Sequence, residues 1–179
     1  NDILHRAISK GQYESRSVVE TLSPSMDIQV ASNFERLIYD INNQNTDETN
    51  KIMLGIKKEN QYLIEEEKLK IIKKDFVSES ITEQELLACI KKVYEKYKII
   101  VDPHTAIGLG ALEKINLKGK CIVLATAHPC KFPDAINNAI KVKPNLPDKL
   151  TYILKEKENY EVVKNNIEEI KKYIKDKLI

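Results

Sequence analysis

Thr126-Ala127-His128-Pro129-Cys130-Lys131-Phe132 follows an unbroken apolar run, Cys121-Ile122-Val123-Leu124-Ala125, and precedes a helix-like stretch that opens at Pro133. An apolar run without alternation suits a strand covered on both faces. In open α/β sheets ligands bind beyond the carboxyl ends of the strands, so a polar cluster at that end is a candidate site. The expectation is therefore an α/β fold with Thr126, His128 and Lys131 lining one crevice. Cys130 lies inside the same cluster.

Working outward, Ile99-Ile100-Val101 predicts a short extended entry to Asp102-Pro103-His104-Thr105-Ala106. Asp102 suits the N-cap of a helix and Pro103 its first turn, where a missing N–H costs nothing. Ile107, Leu109, Ala111 and Leu112 continue that helix, with Gly108 and Gly110 permitting close packing. His104, in the first turn, would face either the cap or the cleft. Upstream, Ser23-Pro24-Ser25-Met26-Asp27-Ile28 and then Asn33-Phe34-Glu35-Arg36 bring hydroxyl, carboxylate, amide and guanidinium groups into one region. Arg36 could instead pair with Asp40 on the same helix face.

Periodicity places further helices. Ile3, Leu4 and Ala7 predict a short one capped by Asn1 or Asp2 and stopped at Gly11. Residues 12–27 read as a loop lying against a core. Phe34, Leu37, Ile38 and Ile41 recur at helical spacing, and Ile52, Met53 and Ile56 form a stripe in a helix capped by Thr46 or Asp47. Residues 62–77 are ambiguous between helix and short strands. Thr82 with Glu85 is a capping box, and Leu86, Leu87, Ile90, Val93 and Tyr97 carry the helix that it starts. Another helix runs from Phe132-Pro133-Asp134 to Ile140. Pro144 and Pro147 mark a linker, and an amphipathic packing helix is expected from Tyr160 to Ile179.

Among 179 residues, 29 basic and 27 acidic side chains nearly cancel, which gives no reason to expect nucleic acid or an anionic membrane as partner. No apolar run approaches the roughly 20 residues of a membrane-spanning helix, and no signal-like segment opens the chain. A cytoplasmic location is the expectation. The cysteines, Cys89, Cys121 and Cys130, have no metal or redox spacing. Cys89 and Cys121 read as small core residues, whereas Cys130 is harder to dismiss because it lies inside the polar cluster.

Taken in this order and at this spacing, the Ser23–Arg36, Asp102–Ala106 and Thr126–Phe132 runs resemble the C-terminal part of threonine synthase, a pyridoxal-phosphate enzyme of the tryptophan-synthase-β-like fold, fold type II. The His-Pro-x-Lys-Phe continuation distinguishes it from a dehydratase or a cysteine synthase of the same fold. The resemblance implies residues 1–45 as part of the cofactor-binding domain and 46–98 as an accessory helical insertion. Residues 99–143 are again cofactor-binding domain, with the site strand and loop, and 144–179 a linker and C-terminal helix. A helix-rich segment with few strands is expected.

By the same resemblance Thr126 places its hydroxyl near the cofactor's pyridine nitrogen. His128, Lys131, His104, Ser25, Asn33 and Arg36 are the candidates for holding substrate, O-phospho-L-homoserine, which with water gives L-threonine and phosphate. The family's Schiff-base lysine and phosphate loop precede the matched region, and with only 5 glycines no such loop is found here. The chain therefore reads as a fragment lacking its covalent anchor, inactive alone and completed by an N-terminal part of the same enzyme. The alternative is a free-standing inactive remnant or interaction module.

Overall fold

The computed structural model describes residues 1–178. Helices dominate: α1 (Ile3–Lys10), α2 (Phe34–Ile41), α3 (Thr46–Glu59), α4 (Glu66–Asp75), α5 (Glu83–Tyr97), α6 (Pro103–Ile115), α7 (Pro133–Ile140) and α8 (Ile167–Lys177). Strands β1 (Gln12–Glu14) and β2 (Gln61–Leu63) form one antiparallel pair in the register Gln12 with Leu63 and Tyr13 with Tyr62. The helix-rich, strand-poor character expected of the segment is borne out. The chain divides into two compact units, Asn1–Asn145 and Leu146 onward.

Within the first unit, α1 to α4 and the β-ribbon enclose one apolar cluster. Ile3 and Ala7 from α1, Phe34, Ile38 and Ile41 from α2, Ile56 from α3 and Ile72 from α4 meet there. The 3.6-residue spacing puts Phe34, Ile38 and Ile41 on one stripe, which is why α2 buries that face. Tyr13, the inward residue of β1, stacks on Phe34 with ring centroids 5.1 Å apart, and its hydroxyl accepts the Ala31 amide at 2.8 Å. The buried Arg6 guanidinium is held by Asp2 at 2.9 Å and the Glu14 carbonyl at 2.8 Å, so its charge is paired as burial demands.

A second cluster joins α5, α6 and α7 through Leu86, Cys89, Ile90, Ala106 and Ile136. The Thr82–Glu85 capping box starts α5 as expected. Asp102 caps α6 with Pro103 in its first turn. Gly108 and Gly110 permit the expected close approach, since an added Cβ would meet Val123 at 3.1 Å and Ile81 at 3.3 Å. Cys89 is buried in this cluster, and desolvation pushes its thiol pKa up. Residues Asn60, Lys98, Asn116 and Lys141 end α3, α5, α6 and α7 in the left-handed conformation.

Several local expectations are corrected. Cys121–Ala125 forms no strand: no segment among the described residues pairs with it, and Ile122 and Leu124 are 90% and 75% exposed. Only Val123 turns onto α6, beside Gly108. Cys121 is exposed for the same reason. The loop at 12–27 contains β1 and a short 3-10 turn at Pro24–Met26, with Val18 and Val19 exposed. Asn45, rather than Thr46 or Asp47, caps α3 by accepting the Glu48 amide at 3.0 Å. The ambiguous 62–77 region resolves into β2 and α4, with Phe76 and Val77 exposed.

The second unit holds a 3-10 segment at Asp148–Lys155 and α8, and none of its described residues is buried. The expected helix from Tyr160 begins only at Ile167. Asn166 takes the Glu168 and Glu169 amides at 3.0 and 3.2 Å, and the β-branched pair Val162-Val163 stays outside the helix. Ile179, the last position of that expectation, lies outside the described residues.

Candidate functional site

The site is organised by the N-terminus of α6. Asp102, whose side chain is fully buried, accepts the His104 amide at 2.9 Å and the Thr105 amide at 3.4 Å, the ordinary work of an N-cap. It does more than cap. Its Oδ1 lies 3.0 Å from His104 Nδ1, and its Oδ2 accepts the Thr105 hydroxyl proton.

His104 is buried, and its other ring nitrogen, Nε2, lies 3.2 Å from the backbone nitrogen of Ser25. An amide N–H can only donate, so Nε2 is bare and the imidazole proton sits on Nδ1, directed at Asp102. The ring is thus neutral and bridges α6 to the Pro24–Met26 turn. Phe132 packs against it with centroids 4.7 Å apart and planes tilted by 56°. His104, placed by sequence at either the cap or the cleft, joins the two.

On the other side, Thr105 Oγ1 accepts the Thr126 amide at 3.1 Å. Thr126 and Ser25 are therefore both anchored through the backbone. Their side chains are exposed, and neither hydroxyl has a hydrogen-bond partner among the described residues. Ser25 borders a cavity of about 540 Å³ with apolar walls from Ile3, Met26, Ile28, Ile81 and Ile107.

His128 caps the following 3-10 turn, Pro129–Lys131: its Nδ1 accepts the Cys130 amide at 3.2 Å and lies 2.9 Å from the Cys130 sulfur. Its Nε2 consequently carries a proton. The Lys131 side chain is exposed, and its ammonium makes no ion pair among the described residues. Asn33 and Arg36 stand apart from this network. Both are exposed at the start of α2 and line a different cavity, of about 470 Å³, with Tyr39, Thr46, Thr49 and Asn50. The alternative pair of Arg36 with Asp40 does not form among the described residues.

The structure thus brings Ser25, His104 and Thr126 into one connected network, sets His128 and Lys131 on the next turn, and puts Asn33 and Arg36 elsewhere. Sequence reasoning gave Asp102 a capping role and left Thr105 without one. A readable signal existed in Asp-x-His-Thr, which places one carboxylate within reach of two side-chain donors of the same helical turn.

The family profile described as "Threonine synthase, C-terminal" matches residues 105–174. Threonine synthase of Pseudomonas aeruginosa is 33% identical over 177 residues, which cover 97% of this chain and 38% of the relative. The Saccharomyces cerevisiae threonine synthase is 36% identical, over 94% of this chain and 40% of its own. The chain belongs to the threonine synthase family. A crystal structure of pyridoxal-phosphate-bound threonine synthase from Brucella melitensis superposes with a TM-score of 0.83 at 38% identity, covering 97% of this chain and 38% of that one. Yeast threonine synthase superposes at 0.79. The chain corresponds to the C-terminal part of the family and spans about two fifths of the length of these threonine synthases. Among the described residues no helix is long and apolar enough to cross a membrane.

Proposed function

We propose that this chain serves as the C-terminal part of an enzyme that converts O-phospho-L-homoserine and water to L-threonine and phosphate with pyridoxal phosphate, in the cytoplasm. Support comes from the family and from one structural observation: Thr126 is held by its amide while its hydroxyl has no hydrogen-bond partner among the described residues. An uncommitted hydroxyl on a backbone held in place fits the ring end of the cofactor. It cannot hold a proton on the ring nitrogen as a carboxylate does, which favours elimination and replacement over transamination. Bound pyridoxal phosphate supplies the electron sink that the loss of protons and γ-phosphate requires.

The phosphate end of the cofactor and its anchoring lysine do not fit this chain. Gly11, Gly55, Gly108, Gly110 and Gly119 form no glycine-rich turn, so in this proposal both come from an N-terminal part. On the substrate side, Lys131 offers a cation and His128 a protonated Nε2, suited to a phosphate. Ser25 offers a hydroxyl to the same ligand. Neutral His104 positions the Ser25 turn rather than supplying charge. Arg36 and Asn33 are assigned to a carboxylate or phosphate entering the α2 cavity.

The test is phosphate release from O-phospho-L-homoserine by the protein joined to its N-terminal part, with Lys131→Met as the variant. The Michaelis constant for substrate should rise more than cofactor affinity falls; the reverse would sink the role of Lys131. An inactive docking module is the second reading, favoured by the exposure of Ile122 and Leu124. A coloured complex reducible by borohydride would exclude it.

A further inference from the structure

We propose that Asp102 is a positioning residue that holds the cofactor residue Thr126 and the substrate residue Ser25 in register, through Thr105 and His104 respectively. The roles given to Thr126 and Ser25 rest on the function proposed above, whereas the linkage itself rests on geometry alone.

A cap needs one carboxylate oxygen and is normally solvated. Here the side chain is fully buried and both oxygens are engaged beyond the helix amides. The polarity of the network leaves no freedom. Ser25 N–H donates to His104 Nε2, and His104 Nδ1–H donates to Asp102 Oδ1. Thr126 N–H donates to Thr105 Oγ1, and the Thr105 hydroxyl donates to Asp102 Oδ2. Both arms end on the same anion, the one group of the network with acceptors and no donors. Two loops far apart in sequence are thereby tied to one turn of α6. Each is held by its backbone, and neither hydroxyl has a hydrogen-bond partner among the described residues. Phe132 on the His104 ring joins the far end of the Thr126–Phe132 run to the same node.

Three substitutions separate this role from capping. Serine caps a helix about as well as aspartate, but Asp102→Ser removes the second oxygen and shortens the reach. Thr105→Val removes one arm and His104→Phe the other. The measurement is amide hydrogen exchange of Ser25 and Thr126 in the chain as it stands, with the α6 amides as the control for capping. Exchange should quicken at least tenfold at both positions in Asp102→Ser, at Thr126 alone in Thr105→Val, and at Ser25 alone in His104→Phe.

Unchanged exchange at both positions in Asp102→Ser, with α6 intact, would overturn the proposal. So would equal loss at both positions in Thr105→Val, a comparison that stands even if Asp102→Ser fails to fold. In the complete protein, Asp102→Ser should weaken cofactor binding and raise the substrate's Michaelis constant together, whereas Thr105→Val should weaken cofactor binding alone. Exchange is read without cofactor or substrate. An inactive parent protein would therefore count against the proposed function while the exchange pattern still decides the linkage.

Discussion

Gly108 lies so close to Val123 that a Cβ on the glycine would come within 3.1 Å of Val123 Cγ1. This contact seats the Cys121–Ala125 segment on α6, one helical turn from Thr105 and just before Thr126. Gly108→Ala should leave overall stability within about 1 kcal/mol, because alanine gains roughly that much as a helix former while Val123 is pushed away. Gly108→Leu should lift the segment instead. Thermal unfolding would report the first effect, and faster exchange at Thr126 the second.

Removing the Thr126 hydroxyl tests its assignment to the cofactor. In the complete protein, Thr126→Val should raise the pyridoxal-phosphate dissociation constant by roughly fivefold, the size of one hydrogen bond of about 1 kcal/mol. Thr126→Ser should bind as the parent does. Equal affinities for the valine and serine variants, measured by absorbance titration, would remove Thr126 from the cofactor site.

Ile136 is fully buried where α7 meets α5 and α6. Ile136→Ala should cost about 2–5 kcal/mol, from lost burial and the cavity left behind. Ile38→Ala should cost a similar amount through the other cluster, where Ile38 is also fully buried. Denaturant unfolding of the variants checks both.

The Glu85 carboxylate receives the Lys114 ammonium and the Thr82 amide, which lower its pKa from 4.5 to about 2. Because the folded value lies below the ordinary one, the capping box contributes fully above about pH 4.5 and is lost as the pH falls through about 2. Glu85 is solvent-facing, so salt should weaken the Lys114 part. Exchange of the first α5 amides across this range should show the change, and Glu85→Gln should abolish its pH dependence.

Ile122 and Leu124 present apolar side chains on a segment with no strand partner among the described residues. Exposed unpaired segments of this kind promote association. Ile122→Lys with Leu124→Lys should reduce self-association of the chain, seen by sedimentation, without lowering its melting temperature.

What was legible in the sequence was whatever depends on near neighbours. The Thr82–Glu85 box, the Asp102 cap with Pro103, and the Phe34–Ile38–Ile41 stripe are all encoded within a few residues, and all appear. Cys121–Ala125 shows the limit. Its apolar run reads as a buried strand, but a strand exists only when other chain segments supply its ladder and cover its faces. β1 and β2 were missed because three-residue strands have too little periodicity to read, and their pairing is nonlocal. At the site, the chemical types were legible, but the separation of Asn33 and Arg36, which line a cavity beside α2, from the network around Asp102 was not. Ser25 and His104 meet across 79 positions, and no local pattern predicts that.

Lys98 and Lys141 end α5 and α7 at φ near 57°, a conformation that costs a side-chain-bearing residue about 1 kcal/mol and glycine almost nothing. Neither residue belongs to the Asp102 network. Lys98→Gly and Lys141→Gly therefore offer a route to a hardier protein for crystallography or reconstitution, with thermal tolerance raised at helix ends and the chemistry left as it was.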